Sequence, residues 1–327
     1  MSVNETLAQQ ANYLLGGSMA AYTAALLAYT TDLAAGTRRS ERGRPAAELV
    51  GAGVGGAGGT ALAEPPVSQP AGTERRRAAA IGTALTALAL ALHLAAVVAR
   101  GVAVHRAPWS NMFEFSTAGA LVVTVVYLLA LRWRDLRYLG VFVIGPVLLT
   151  LGIAVVWLYA RAAQVVPSLR SYWLIIHVSV AFIALALLTL AFSLTVLYLA
   201  QDRRDRRRAE GLPVSRAFMD ALPPSRELDQ ASYQLHALAF PLWTFTLIAG
   251  AIWAEKAWGD YWNWDPKEVW TFVIWVVYAG YLHARATRGW AGRKAANIAL
   301  VGFACVLFNF LVVNIFLVGF HSYAGVG

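Results

Sequence analysis

The chain has 327 residues, 58% hydrophobic and only 14% charged, whereas soluble globular domains carry about a quarter charged residues. Its single cysteine, Cys305, excludes an internal disulfide or a CxxC redox pair. The net charge of +9 could serve nucleic acid or an anionic surface, but the basic residues are distributed as in a membrane topology and no nucleic-acid role is expected.

Apolar runs of spanning length are read near 12–34, 79–103, 114–131, 138–160, 173–199, 237–256, 269–284 and 296–319. A segment in hydrocarbon must satisfy its own backbone, so each is expected to be helical. The fold class is therefore all-α: a polytopic membrane bundle of about eight transmembrane helices. Residues 1–35 form an N-terminal transmembrane helix, 36–78 a flexible basic linker rich in Gly, Ala, Pro and Arg, and 79–327 the main bundle. Residues 1–11 lack a basic leader region, and no cleavable signal peptide is expected.

The segments 35–78, 132–137, 200–236 and 285–295 hold 21 of the 27 Lys and Arg residues. The positive-inside rule puts them in the cytoplasm and both termini outside, in a multi-pass protein of the cell membrane. No Walker loop, GxGxxG motif or internal repeat is found. Asn111 and Glu114 are spaced as a helix-opening cap before the third span. Asp265-Pro266-Lys267-Glu268 has the same logic at the seventh, with Asp at N-cap, Pro at N1 and Glu at N3.

Residues 253–275 hold six of the twelve tryptophans. An interfacial belt would spread tryptophan over several span ends; this density in one outer loop, about 257–269, suits an aromatic platform for a large planar ligand. Of six histidines, His105, His177 and His321 fall at outer span ends, His236 and His283 at inner ends, and His93 within span two. Two outer imidazoles on different spans could clamp a heme iron axially, and His177 and His321 flank the tryptophan loop if spans five to eight pack together.

The stretch Trp258-Gly259-Asp260-Tyr261-Trp262-Asn263-Trp264-Asp265-Pro266-Lys267-Glu268 resembles the WWD signature of heme-handling proteins. Tyr281-Leu282-His283-Ala284-Arg285, Arg288-Gly289-Trp290, Gly319-Phe320-His321-Ser322-Tyr323-Ala324, Ser171-Tyr172-Trp173-Leu174-Ile175-Ile176-His177-Val178 and Pro108-Trp109-Ser110-Asn111-Met112-Phe113-Glu114 are similar to the CcsA/ResC family, some of whose members are labelled CcsB. The resemblance runs from about residue 80 to the end.

It implies system II cytochrome c biogenesis with a ResB-type partner. Heme b would enter from the cytoplasmic side, reach the outer WWD site and be joined to the CxxCH thiols of apocytochrome c, as in a holocytochrome c synthase complex. It implies His177 and His321 as the outer axial pair and His283 as the membrane-embedded ligand. Trp258, Trp262, Trp264 and Asp265 would form the heme platform. A thiol-reducing thioredoxin-like protein would keep the apocytochrome cysteines reduced. His236 lies at the depth of His283 and is a candidate local ligand there; His93 reads as structural. For the heme propionates, Arg161, Arg170 and Lys267 all lie on the outer side. The competing readings are a heme exporter without ligation activity, a non-catalytic scaffold, and a quinone-linked redox protein.

Overall fold

The computed structural model describes residues 3–42, 72–163, 171–214, 218–287 and 289–321. Most of the basic linker, and Arg170, lie outside these. The described residues are helical and contain no strand. The long helices are α1 (Glu5–Arg42), α2 (Gly72–Val104), α3 (Met112–Ala130), α4 (Gly140–Val156), α5 (Tyr172–Ala209), α6 (Ser225–Trp258), α7 (Pro266–Thr287) and α8 (Arg293–Phe308). A π-helical turn, Asn309–Val313, and a short α9, Asn314–Phe316, follow. Among the described residues six helices are long and apolar enough to cross a membrane; α1 and α7 fall short of that measure.

The burial pattern is that of a helix in lipid. α2 exposes Ile81, Leu88, Leu94, Val98 and Val102 and buries Ala89, His93, Ala96, Arg100 and Ala103. Without water there is little gain in hiding large apolar side chains, so small and polar ones take the helix contacts. Close approach shows at Gly140, where a Cβ would lie 2.5 Å from the Tyr29 ring.

α5 runs between two packed groups. Leu190, Leu194, Leu197 and Tyr198 on its second half join Tyr22, Tyr29, Tyr127 and Leu151 in the α1–α4 half. Ala184, Leu187 and Leu188 pack with Trp243, Ile274, Tyr278 and Phe303 of α6, α7 and α8. A smaller group at the start of α5 joins Leu174, Val178 and Phe182 to Ala118 and Trp253. The packing of spans five to eight that the site requires is therefore present.

Several helices outrun their apolar cores: α1 to Arg42, α5 to Ala209 and α6 back to Ser225. Hydropathy marks only the lipid-facing stretch; polar pairs carry the helix onward. One is the two-pronged contact of Arg285 with Asp229, at 2.8 and 3.0 Å, which joins α6 to α7.

The opposite end is clasped by Glu114, which is fully buried. Arg100 Nε donates to its Oε1 at 3.0 Å and Arg106 Nη1 to its Oε2 at 2.7 Å. The same guanidiniums donate to the carbonyls of Ala160 at 2.6 Å and Ala163 at 2.9 Å, tying the chain after α4 to α2 and α3. Asn111 caps α3 as its spacing predicts: its Oδ1 accepts the Glu114 N–H at 2.9 Å. The start of α1 reaches this end too, with Asn4 N–H donating to Ala103 O at 3.0 Å.

Candidate functional site

Gly259 ends α6 in the left-handed conformation, φ +91°, its N–H donating to Glu255 O. The chain turns through residues 260–264 and enters α7 at Asp265. The capping box forms: Lys267 N–H donates to Asp265 Oδ2 at 3.0 Å, and Glu268 Oε2 accepts from the N–H groups of Asp265 at 3.2 Å and Asn263 at 2.8 Å. Reciprocal capping fixes the loop at both ends of the first turn.

Asp265 does more than cap. Its Oδ1 accepts the Phe320 N–H at 2.6 Å and its Oδ2 lies 2.8 Å from His321 Nδ1. The cap of α7 is thereby the anchor of the chain after α9. Burial would raise the carboxyl's pKa, but hydrogen bonds from His321, Lys267 and Phe320 outweigh it and hold the group below the ordinary carboxylate range. Asp265 is thus an acceptor at neutral pH.

His177 is held in a parallel way. Its Nδ1 lies 2.9 Å from the Thr246 carbonyl. Neither a carboxylate nor a carbonyl donates, so in the neutral ring each Nδ1 carries the proton and each Nε2 keeps its lone pair. Fixing one ring nitrogen through an oxygen so that the other can bind metal is the usual outer-shell arrangement of a ligating histidine.

The two imidazoles converge. Trp253, almost fully buried, stacks on His177 with ring centroids 6.1 Å apart and planes at 13°. The same indole meets His321 edge-on at 5.5 Å. Both histidines line one cavity that opens to the surface. Its walls are mostly apolar: Phe115 of α3, Val178 and Ala181 of α5, Trp243 and Leu247 of α6, Phe310 of the π turn. Among the described residues no third histidine, cysteine or carboxylate completes a metal cluster with them.

The tryptophans divide the work differently from the expected single platform. Trp262 lines the cavity together with Tyr261. Trp258 is not among the lining residues; it backs His321, ring centroids 5.0 Å apart, and stacks on Phe320 at 5.1 Å. Trp264 is 77% exposed and touches Trp262 edge-on. Its left-handed backbone, φ +57°, turns the chain into the Asp265 cap and leaves the indole on the surface.

His283 is not brought to this cavity. It is exposed on α7, in a groove lined by Gly280, Trp290 and Asn297. His236 does not share that groove: it is buried on α6, its Nδ1 2.9 Å from Ser232 O and its ring against Tyr278 and Tyr281. His93 is fully buried, its Nδ1 3.3 Å from the Tyr22 hydroxyl. His105 is exposed at a left-handed turn, φ +54°.

Sequence reasoning missed Gly250 and Asn309, and did not single out Trp253 within its tryptophan cluster. A Cβ at Gly250 would lie 2.7 Å from His177 Cε1 and 2.9 Å from Nδ1. Only a glycine lets that ring lie flat across α6. Gly250→Ala is expected to push the imidazole from its seat, at about 1–3 kcal/mol of overpacking. The melting temperature of the purified variant measures it, with a modest stability loss expected.

The profile of the cytochrome c assembly protein family matches residues 109–321. A cytochrome c biogenesis protein CcsA of Synechococcus elongatus is 36% identical over 286 residues, covering 75% of this chain and 87% of that protein. The CcsA of Mesostigma viride is 32% identical over 237 residues, covering 67% and 78%. Among solved structures, the cytochrome c heme lyase CcmF is similar in fold, with a TM-score of 0.62 over 99% of this chain and 50% of that one, at 17% identity. The bundle, its matched region and these relatives lead to one conclusion: the chain is a multi-pass membrane protein of the cytochrome c assembly family, in its CcsA branch, and serves cytochrome c maturation.

Proposed function

We propose that this chain carries heme b to its outer cavity and presents it there for covalent attachment to the CxxCH thiols of apocytochrome c, with a ResB-type membrane partner. The observation that carries the reading is the matched pair His177 and His321. Each has its Nδ1 committed to an oxygen acceptor, and both line one aromatic-walled cavity. A porphyrin supplies the four equatorial nitrogens such a pair lacks, and apolar walls bury its faces.

The residues divide into roles. His177 and His321 would hold the iron through their free Nε2 atoms, which would close the position that oxygen would take. Thr246 and Asp265 keep the rings in the ligating tautomer. Trp253 and Trp258 back the imidazoles, and Trp262 supplies a wall. His283, in its separate groove, is the inner ligand that receives heme before it reaches the outer site, completed by the partner chain.

The chemistry asks for positioning more than for a nucleophile from this chain. Each apocytochrome thiol adds across one vinyl group: a sulfur–carbon bond forms, the thiol hydrogen goes to the neighbouring carbon, and no net electron transfer occurs. Either imidazole would have to give way to the CxxCH histidine for the product to leave. A thioredoxin-like protein keeps the incoming cysteines as thiols.

Reconstitution tests the reading. The chain and its partner, loaded with heme and given reduced apocytochrome c, are expected to yield heme that stays on the polypeptide in a denaturing gel. Bound heme with no thioether product would instead make the chain a carrier for a separate lyase. No bound heme at all would leave a scaffold.

A further inference from the structure

Apart from the two histidines, the polar side chains of the mostly apolar cavity gather chiefly at one corner, where Lys267, Glu268, Thr271 and Asn309 meet. Lys267 Nζ donates to the Asn309 carbonyl at 3.1 Å. Thr271 Oγ1 donates to Lys267 O at 2.6 Å and accepts from Asn309 Nδ2 at 3.4 Å. Asn309 opens the π-helical turn, a local break often found at functional sites.

The Lys267 amine is seen to spend one donor, on a main-chain carbonyl rather than on a carboxylate, and burial pulls its pKa down to about 7, so an anion beside it would favour the charged form. The nearby acids are engaged elsewhere. Asp265 takes His321 and the N–H groups of Phe320 and Lys267. Glu268 Oε2 takes two backbone N–H groups. Glu268 Oε1 and Asn309 Oδ1 are buried with no partner. Among the described residues Lys267 is the sole lysine or arginine lining the cavity, and Arg161 is not there. A cation against apolar walls is costly unless paired.

We infer that Lys267 is the receptor for one carboxylate of the cavity's ligand, which makes it the counter-ion of a heme propionate. The inference deepens the heme reading and rests on it. Asn309, beside Lys267, sets the depth of that carboxylate with its side-chain amide. Lys267 is one cation, so the corner neutralises one propionate and leaves the other outside it.

The test compares heme b with its dimethyl ester, which keeps the iron, the vinyl groups and the flat ring but loses both charges. Each is titrated into the full-length chain co-purified with its partner, for wild type, Lys267→Met and Lys267→Arg. Binding and the bis-imidazole absorption spectrum are read together. A hydrogen-bonded charge pair predicts that wild type prefers the free acid by on the order of tenfold or more. Lys267→Met should bind both porphyrins alike with the bis-imidazole spectrum kept, and Lys267→Arg should restore the preference. Equal wild-type affinities, or a preference that survives in Lys267→Met, would overturn the assignment. The wild-type ester comparison decides it even if Lys267→Met does not fold. Absence of a bis-imidazole spectrum with either porphyrin in wild type would remove the heme reading itself, and this inference with it.

Discussion

Replacing His177 or His321 with alanine is expected to cut the yield of covalent holocytochrome c by about a hundredfold or more, because even loss of an outer-shell partner of a metal ligand costs 10–100-fold. The measurement is heme staining of denatured membranes from cells in which the variant chain is the sole copy. Two details separate lost ligation from lost folding. Protein level in the membrane should stay near wild type, since both rings line an existing cavity that their removal only enlarges. Added imidazole should restore part of the yield, because the free base can enter the space and supply the missing Nε2. Full activity in both single variants would remove the clamp.

Glu114→Ala is expected to lose about 3–5 kcal/mol, the usual cost of breaking a buried ion pair by deleting one partner. The reason is specific to its place. Glu114 is fully buried and answers both Arg100 and Arg106. Without it two guanidiniums remain inside the bundle, and the ties to Ala160 and Ala163 lose their anchor. It also accepts the Ser110 N–H at 3.1 Å, which sets the chain entering α3. Thermal unfolding in detergent measures the effect, and Glu114→Gln should fall between the two. A Glu114→Ala protein that melts with wild type would mean the clasp contributes nothing.

Much of this architecture was legible in the chain. Twenty-residue apolar runs are strong one-dimensional signals, because bilayer thickness acts on sequence directly. The caps at Asn111 and Asp265 were legible for the same reason: they are local, and spacing alone defines them. His177 and His321 stood out as polar residues at span ends. What was hidden required the third dimension. Nothing adjacent in sequence links Asp265 to His321, yet this contact converts a helix cap into the support of a candidate ligand. Gly250 reads as an ordinary small residue of an apolar helix until the His177 ring is seen lying on it. The tryptophans were over-read as one surface: composition counts indoles, but the left-handed turn at Trp264 decides which of them face inward. The helical extensions to Arg42 and Ala209 were missed because hydropathy is blind to helices continuing into water.

The most direct measurement is a structure of the full-length chain with its partner and bound heme b. It should show the porphyrin in the cavity beside Trp243 and Trp262, with iron bonded to Nε2 of both His177 and His321 and one propionate at Lys267. Heme held by other side chains, with these two imidazoles left unligated and facing apart, would contradict the account.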